Sequence, residues 1–320
     1  MKARPMLWII GSGGMLGSAV NRLGSPAFDV HVAGTVRWAE RTANKELASE
    51  AKRFVAATAH RTCAVAWCAG AGVIGTADDV LDAETRALET VLNELSGAHC
   101  TFFLSSSAGG VFGAGQKNPI SEESDPNPIS SYGRNKLRQE AIVREWATRT
   151  GARAVIGRIS NLYGPGQSMA KQQGLISQAC LATLTRKPVS IYVSLDTIRD
   201  YVYVDDAAAI ILDLLAGAAE FGEGSSLIKI VASGDSVSIG GVLGEIRRVL
   251  GRAPNIVMTT SSRSAMQGSA LSFRSVVVPE IDRRVRTPLP AGIAATIESI
   301  RRDLAASTEI VATSRIKDSR

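Results

Sequence analysis

The sequence has little of the residue types that build metal sites and disulfide frameworks. Its 320 residues include only four cysteines and three histidines, and no two cysteines form a C-x-x-C pair. Because a protein metal site needs several ligands at close spacing, we expect no bound metal. We interpret the cysteines as reduced thiols of a core in a cytoplasmic protein. They are Cys63, Cys68, Cys100 and Cys180.

Long apolar runs are also missing. The longest, residues 207–219, is too short to cross a bilayer, and it contains Asp213. We therefore expect no membrane partner and a cytoplasmic location.

A basic cluster of the kind that binds nucleic acid is absent as well. Lys and Arg outnumber Asp and Glu by 36 to 30, and the excess falls within residues 241–320, where the arginines are spread out. Aromatic residues, which stack on bases, make up only 5% of the chain. We expect a small-molecule substrate and no nucleic-acid partner.

What is present is an alternation of short apolar runs with segments of helical periodicity. The chain is 45% apolar and 21% charged, with a mean hydropathy of +0.08, which is typical of a folded globular protein. Strands that alternate with helices predict βαβ units and a parallel sheet. The predicted strands cover residues 7–10, 30–33, 64–68, 101–104, 154–159 and 228–231, and the predicted helices cover residues 15–23, 45–60, 82–95 and 132–148.

The predicted fold class is α/β, a Rossmann-type doubly wound parallel sheet with a smaller α/β C-terminal substrate lobe. We assign residues 1–162 to the dinucleotide-binding domain, with residues 196–219 returning to it. The substrate-binding lobe takes residues 163–195 and 220–304, and residues 305–320 are expected to form a flexible tail.

A glycine-rich turn follows the first predicted strand. Residues 11–17 read GSGGMLG, and an apolar helix begins directly after them. Glycines permit a tight turn and let backbone N–H groups approach a pyrophosphate, while the helix N-terminus contributes its positive dipole. The spacing is G-x-x-G-x-x-G, because Leu16 occupies the last glycine position of the G-x-G-x-x-G form. We predict dinucleotide binding here, by Gly11, Gly13, Gly14, Met15, Leu16 and Gly17.

The second strand offers a clue to which dinucleotide is bound. A carboxylate at its end would bond the ribose hydroxyls of NAD, but residues 32–37 contain none. Arg37 stands there instead, and a guanidinium can hold a 2′-phosphate with two hydrogen bonds. This favours NADP over NAD. The alternative is that Arg37 is a surface residue and that NAD is held by other contacts.

A tyrosine and a lysine stand four residues apart on a predicted helix. Tyr132 and Lys136 therefore share one helix face. An ammonium beside a phenol stabilises the phenolate, which suits the phenol to proton transfer near neutral pH. Three serines, 105–107, end the fourth predicted strand, where ligands bind in open α/β sheets. A hydroxyl there can hydrogen-bond the reacting oxygen beside the tyrosine.

These segments together resemble the extended short-chain dehydrogenase/reductase family, and within it the NAD(P)-dependent nucleotide-sugar epimerase/dehydratase group. The resemblance covers nearly the whole chain. It rests on the glycine turn, the Tyr132 and Lys136 pair, and five further segments: CAGAG at 68–72, SSSAGGVFG at 105–113, RISNLYGPGQ at 158–167, RDYVYVDD at 199–206 and ASGDSVSI at 232–239.

The resemblance implies a role for several residues. Tyr132 would be the general acid/base, Lys136 would bind the nicotinamide ribose, and Ser107 would polarise the substrate oxygen, with Ser106 as the alternative. It also implies a homodimer. Further cofactor contacts would come from Cys68, Ala69, Gly70, Ser105 and Ile159, and substrate contacts from Asn161, Tyr163 and Arg199.

The reaction itself stays open between two forms. An epimerase returns the hydride to the same sugar, whereas a ketoreductase stops after one transfer and exchanges its cofactor. Dehydratase activity is disfavoured, because Ala108 and Gly109 follow Ser107 where that branch has an acid pair. Two alternatives remain: a reductase of a non-nucleotide carbonyl compound, and a non-catalytic NADP-binding redox sensor on the same fold.

Overall fold

The computed structural model describes residues 4–34, 36–38, 40, 42–58, 61–113, 115–169, 174–259 and 270–317, with side chains as far as residue 306. The strands are β1 (Met6–Ile10), β2 (Asp29–Val30), β3 (Cys63–Trp67), β4 (Cys100–Ser107), β5 (Arg153–Ile159), β6 (Asn161–Tyr163), β7 (Val189–Ile191), β8 (Ile198–Tyr203), β9 (Ser226–Val231), β10 (Ser236–Ser238), β11 (Ile256–Met258) and β12 (Ala270–Leu271). The helices are α1 (Met15–Gly24), α2 (Ala43–Ala57), α3 (Asp78–Glu94), α4 (Ala108–Val111), α5 (Ser131–Thr150), α6 (Leu175–Thr185), α7 (Val204–Gly217), α8 (Ile239–Leu250) and α9 (Leu289–Lys317).

Six parallel strands form the main sheet, in the order β2-β1-β3-β4-β5-β9. Most residues of these strands are buried, because helices cover both faces. On one face lie α2, α3 and α5, around a core that includes Phe54, Trp67 and Trp146. On the other face lie α1 and α7, around a core that includes Phe103 of β4 and Ile210 of α7. The doubly wound Rossmann-type sheet expected from the sequence is confirmed.

A smaller lobe follows the sheet domain. Its central strand, β8, pairs with β6, β10 and β12, and a separate pair joins β7 to β11. Helices α6, α8 and α9 enclose a core of their own, which contains Cys180, Ile246 and Ile297.

One of the expected domain boundaries is wrong. Residues 226–231, assigned above to the substrate lobe, form β9 at the edge of the main sheet, paired with β5. Within the segment expected to form a flexible tail, residues 305–317 continue helix α9. The second strand is also shorter than expected, since it ends at Val30, and Val32 is 92% exposed.

Candidate functional site

The glycine turn between β1 and α1 is shaped by close backbone contacts. Gly11 has a positive φ of 89°, and a methyl group on it would lie 2.6 Å from the amide nitrogen of Ala69. A methyl group on Gly17 would overlap the carbonyl oxygen of Gly11. Gly13, in contrast, faces open space, with no atom within 4 Å of where its Cβ would stand. The turn therefore has one face packed against the protein and one open face.

Helix α1 begins at that open face. Gly14 precedes it without a side-chain cap, and no acidic residue lies in its first turn. Met15 is the first helical residue, while the side chain of Leu16 is buried. The uncapped N–H groups and the helix dipole make this end of α1 suited to an anion. These groups and the open glycine face together fit the pyrophosphate of a dinucleotide.

The segment after β3 runs directly beside the glycine turn. The amide of Cys68 donates to the carbonyl oxygen of Ile10, which ties the two strand ends together. Burial raises the pKa of the Cys68 thiol to about 12, so this thiol stays protonated at neutral pH. Gly70 and Gly72 lie against α3: a methyl on Gly70 would be 3.2 Å from Oε1 of Glu84.

A contact between α4 and α5 brings Ser107 and Tyr132 together. Gly133 lies so close to α4 that a methyl on it would overlap the carbonyl oxygen of Gly110. A methyl on Gly110 would lie 2.9 Å from Cε1 of Tyr132 and 3.2 Å from Oγ of Ser107. Because both positions are glycine, the ring of Tyr132 and the hydroxyl of Ser107 can both lie against Gly110 at the carboxyl end of β4.

The neighbouring serines of β4 have different partners. Ser106 is buried, and its hydroxyl donates to Oε1 of Glu140 at 2.6 Å. The hydroxyl oxygen of Ser107 accepts the amide of Gly110 at 3.1 Å, which leaves its own O–H free to donate. Ser105 is only partly buried. The O–H of Ser107 is thus free to donate, whereas that of Ser106 is committed to a buried carboxylate.

Lys136 is held in a buried network that the sequence did not reveal. Its Nζ lies 5.8 Å from the centre of the Tyr132 ring and 2.8 Å from Oε1 of Glu84. The ammonium also donates to Oε1 of Gln139 at 3.0 Å, and Nε2 of Gln139 donates to Glu84 at 3.2 Å. Only 5% of the Lys136 side chain and 8% of the Glu84 side chain are exposed.

Glu84 and Lys136 each stabilise the charged form of the other, which offsets the effect of burial on both pKa values. Burial acts to raise the pKa of Glu84, but the nearby Lys136 charge and hydrogen bonds from Lys136, Gln139 and the Gly72 amide hold it below its usual value. Burial likewise acts to lower the pKa of Lys136, yet the charges of Tyr132 and Glu84 hold it above its usual value. Both groups are therefore ionised at neutral pH.

Arg37 already has partners within the protein. Its Nε donates to Oε1 of Glu46 at 2.8 Å, and its Nη1 lies 3.2 Å from Glu40. The ion pair holds the pKa of Glu46 below its usual value, through hydrogen bonds from the Arg37 backbone and side chain. A 2′-phosphate at this position would therefore have to share or replace the carboxylate of Glu46.

Two of the expected substrate contacts lie on different strands of the smaller lobe, Asn161 on β6 and Arg199 on β8. Asn161 is partly buried on β6, and its Nδ2 donates to the carbonyl oxygen of Asp200 at 2.7 Å. Arg199 is buried on β8 and donates to the carbonyl oxygen of Ile198. Ile159, an expected cofactor contact, ends β5 as the register partner of Ser107.

Tyr163 lies in the core of the smaller lobe. It is 3% exposed in the core of the smaller lobe, and its ring packs edge-on to Tyr201 and Tyr203. Gly292 of α9 lies directly against its ring. Its ring thus helps to fill this core, and the assignment of Tyr163 to substrate contact stays a prediction.

Sequence comparison places the chain in a family. The model of the NAD dependent epimerase/dehydratase family matches residues 7–227, which contain the glycine turn, both serines, Tyr132 and Lys136. The chain belongs to this family.

Relatives in the family include epimerases and reductases of nucleotide sugars. A dTDP-4-dehydro-6-deoxyglucose reductase of Escherichia coli is 28% identical over 63% of this chain and 62% of its own length. A UDP-glucose 4-epimerase of Azospirillum brasilense is 33% identical over 42% of this chain and 45% of its own length. The matches thus span less than two thirds of these relatives.

A solved structure shares the fold over a longer range. The UDP-glucose 4-epimerase of Thermus thermophilus, in complex with NAD, superposes with a TM-score of 0.78 at 19% identity, and the match covers 92% of this chain and 99% of that one. At this identity the likeness concerns the fold alone.

The open glycine face and the uncapped start of α1 fit the dinucleotide of the NAD dependent epimerase/dehydratase family. Across the part of the chain that the structure describes, no helix is long and apolar enough to span a bilayer. The same described residues contain no group of three or more His, Cys, Asp or Glu that could hold a metal ion.

Proposed function

We propose that this chain is an NAD(P)-dependent epimerase or ketoreductase that acts on a nucleotide-linked sugar, with Tyr132 as the proton-transfer group. One observation carries the proposal: Tyr132, Ser107 and Lys136 converge at the carboxyl end of β4, in a fold whose glycine turn opens onto the same edge of the sheet. Ligands bind at this edge in open α/β sheets.

Each of the three side chains would have a distinct task. The phenol oxygen of Tyr132 would take the proton of a sugar hydroxyl, or return it to a carbonyl oxygen. The free O–H of Ser107 would donate to that same oxygen and hold it in place. The Lys136 ammonium would stabilise the phenolate and bind a ribose hydroxyl. The bound nicotinamide would supply or accept the hydride.

The dinucleotide would lie across the glycine turn. Gly13, Gly14 and the first amides of α1 would hold its pyrophosphate, while Ala69 and Gly70 would line the path towards Lys136. Arg37 supports NADP, but its ion pairs with Glu40 and Glu46 add negative charge where a 2′-phosphate would bind. We keep NADP as the slightly favoured cofactor, with NAD as the alternative.

The first experiment identifies the dinucleotide. The purified protein is denatured and any released dinucleotide is measured by mass spectrometry, with NADH and NADPH titrations in parallel. Stoichiometric bound NAD would support an epimerase that recycles its cofactor. An empty protein that binds NADPH far better than NADH would support a ketoreductase, and Arg37→Ala should then lose that preference.

Tyr132→Phe tests the chemistry. With UDP-glucose and dTDP-4-dehydro-6-deoxyglucose as probe substrates, we expect turnover to fall by roughly 10²–10⁴-fold. Dinucleotide affinity should stay within about twofold, because the ring still packs on Gly110. Unchanged turnover would contradict the role of Tyr132. Dinucleotide binding without any turnover in the unmodified protein would favour the redox-sensor alternative.

The family resemblance is also the basis for proposing a homodimer in the cytoplasm. Light scattering after size-exclusion chromatography tests the assembly, and cell fractionation tests the location.

A further inference from the structure

The carboxylate of Glu84 stands between the proposed cofactor path and the proposed catalytic pair. Its Oε1 contacts Lys136, and its Oε2 accepts the amide of Gly72 at 3.3 Å. A methyl on Gly72 would lie 3.5 Å from Cδ2 of Tyr132, so the same short loop touches both the carboxylate and the phenol ring. Glu84, on helix α3, thereby adds a buried negative charge to the site that Ser107 of β4 forms with Tyr132 and Lys136 of α5.

The carboxylate is fixed rather than free to move away. Gln139 bonds both members of the ion pair, and it also donates to Oγ1 of Thr85 on α3. Thr85 in turn donates to Oδ1 of Asn135 at 2.9 Å. These contacts lock α3 to α5 around the ammonium. A buried carboxylate held in this way keeps its charge next to the lysine.

The other charges near Lys136 are already balanced. Glu140 also acts on the ammonium, but it forms a buried ion pair with Arg158 on β5 and accepts the hydroxyl of Ser106. The Tyr132 phenol also acts on the ammonium, whose Nζ lies 5.8 Å from the centre of its ring. Glu84 is thus the carboxylate that directly offsets the Lys136 charge.

We propose that Glu84 is a positioning residue for the proton transfer: it fixes the Lys136 ammonium beside the Tyr132 ring and offsets part of the charge by which that ammonium stabilises the phenolate. The role of Glu84 in proton transfer rests on the proposed function. The ion pair between Glu84 and Lys136 does not, because it is seen directly in the structure. Without the carboxylate, the ammonium acts on the phenol undiminished, and the phenolate forms at lower pH.

The test is an absorbance titration of the phenolate at 295 nm in the full chain, without substrate. The spectrum of Tyr132→Phe is subtracted at each pH to isolate the signal of Tyr132. Burial assists the subtraction, because it raises the pKa of Tyr201 to about 12 and raises the pKa values of Tyr163 and Tyr203 as well. We expect Glu84→Gln to lower the midpoint of the Tyr132 signal by about one pH unit, a tenfold change in its ionisation constant.

Asp82→Asn is the matched control. Asp82 lies on the same helix and also pairs with α5, through Arg138 at 2.7 Å, but 47% of its side chain is exposed. Solvent screens its charge, so its removal should move the midpoint by less than about 0.2 unit. An unchanged or raised midpoint in Glu84→Gln, or an equal shift in Asp82→Asn, would overturn the proposal.

A second variant covers the case in which Glu84→Gln does not fold. Glu84→Asp keeps the charge but withdraws it by one methylene, so the midpoint should fall by a smaller amount, and a folded Glu84→Asp without any shift would overturn the proposal. The outcomes separate the two claims. If Tyr132→Phe keeps full turnover while Glu84→Gln shifts the midpoint, the proposed function fails and the coupling of Glu84 to the phenol stands. If Tyr132→Phe is inactive and the midpoint does not move, only the role of Glu84 fails.

Discussion

Ser106 and Ser107 are adjacent on β4, but their side chains point to opposite faces of the sheet. Ser106 donates to the buried carboxylate of Glu140, whereas Ser107 accepts the amide of Gly110 next to the ring of Tyr132. Successive side chains on a strand point to opposite faces. One serine therefore belongs to the core and the other to the proposed site.

Alanine substitution should separate these two roles. Ser107→Ala should lower kcat roughly 100-fold, because it removes a donor to the reacting oxygen, and should cost about 1 kcal/mol of stability as a lost cap. Ser106→Ala should leave kcat within about threefold and cost about 2 kcal/mol, because it removes a hydrogen bond to a buried carboxylate. Steady-state kinetics and urea unfolding measure both. The reverse pattern would make Ser106 the reacting hydroxyl.

The contact at Gly110 can be tested with its neighbour as control. Gly110→Ala should force the Tyr132 ring away from Ser107 and lower turnover about 100-fold, since small displacements of reacting groups are costly. Gly109→Ala lies on the same short helix but its methyl meets no atom within 4 Å. Turnover of Gly109→Ala should stay within about threefold. Equal losses in both variants would mean that α4 itself, and not the ring contact, sets the activity.

Alanine substitutions in the glycine turn should distinguish a glycine that packs against the protein from a glycine that faces the dinucleotide. Gly17→Ala should destabilise the protein by about 2 kcal/mol even without dinucleotide, because its methyl would overlap the Gly11 carbonyl. Gly13→Ala should change stability by less than about 0.5 kcal/mol but raise the Kd for the dinucleotide roughly tenfold, because its methyl enters the open face. Thermal unfolding and fluorescence titration provide the measurements. Normal binding by Gly13→Ala would place the dinucleotide elsewhere.

The Glu84–Lys136 pair predicts how stability varies with pH. Because the pKa of Glu84 is lowered in the folded state, its contribution is fully present above the unfolded value of about 4.3 and is lost as pH falls through the folded value. Glu84→Gln, which leaves Lys136 buried without its counter-ion, should be about 3 kcal/mol less stable than the unmodified protein at pH 7.

That difference in stability should narrow as pH falls below about 4.3, because Glu84 then takes up a proton in the unfolded state before it does so in the folded state. Urea unfolding at a series of pH values measures it. Asp82→Asn, which removes an exposed carboxylate, should show a small difference at every pH. A gap between Glu84→Gln and the unmodified protein that stays constant down to pH 3 would show that the lost stability does not come from the carboxylate charge.

The sequence by itself determined the first five strands of the main sheet, the glycine turn and the Tyr132–Lys136 pair. These features follow from local rules: apolar runs form strands, glycines allow a tight turn, and residues four apart share a helix face. The order of the first five predicted strands along the chain, and the helices between them, could therefore be predicted before any contact was known.

Only the tertiary structure decided what surrounds those residues. Glu84 lies 52 residues before Lys136 in the sequence, and β9 joins the main sheet only after the smaller lobe has begun. Tyr163 turned out to be part of a core, although its segment resembles a substrate-binding one. The physical reason is common to all three: a buried charge, an edge strand or a core ring is fixed by partners that are distant in the chain, and no local pattern of residues specifies which partner the folded protein brings near.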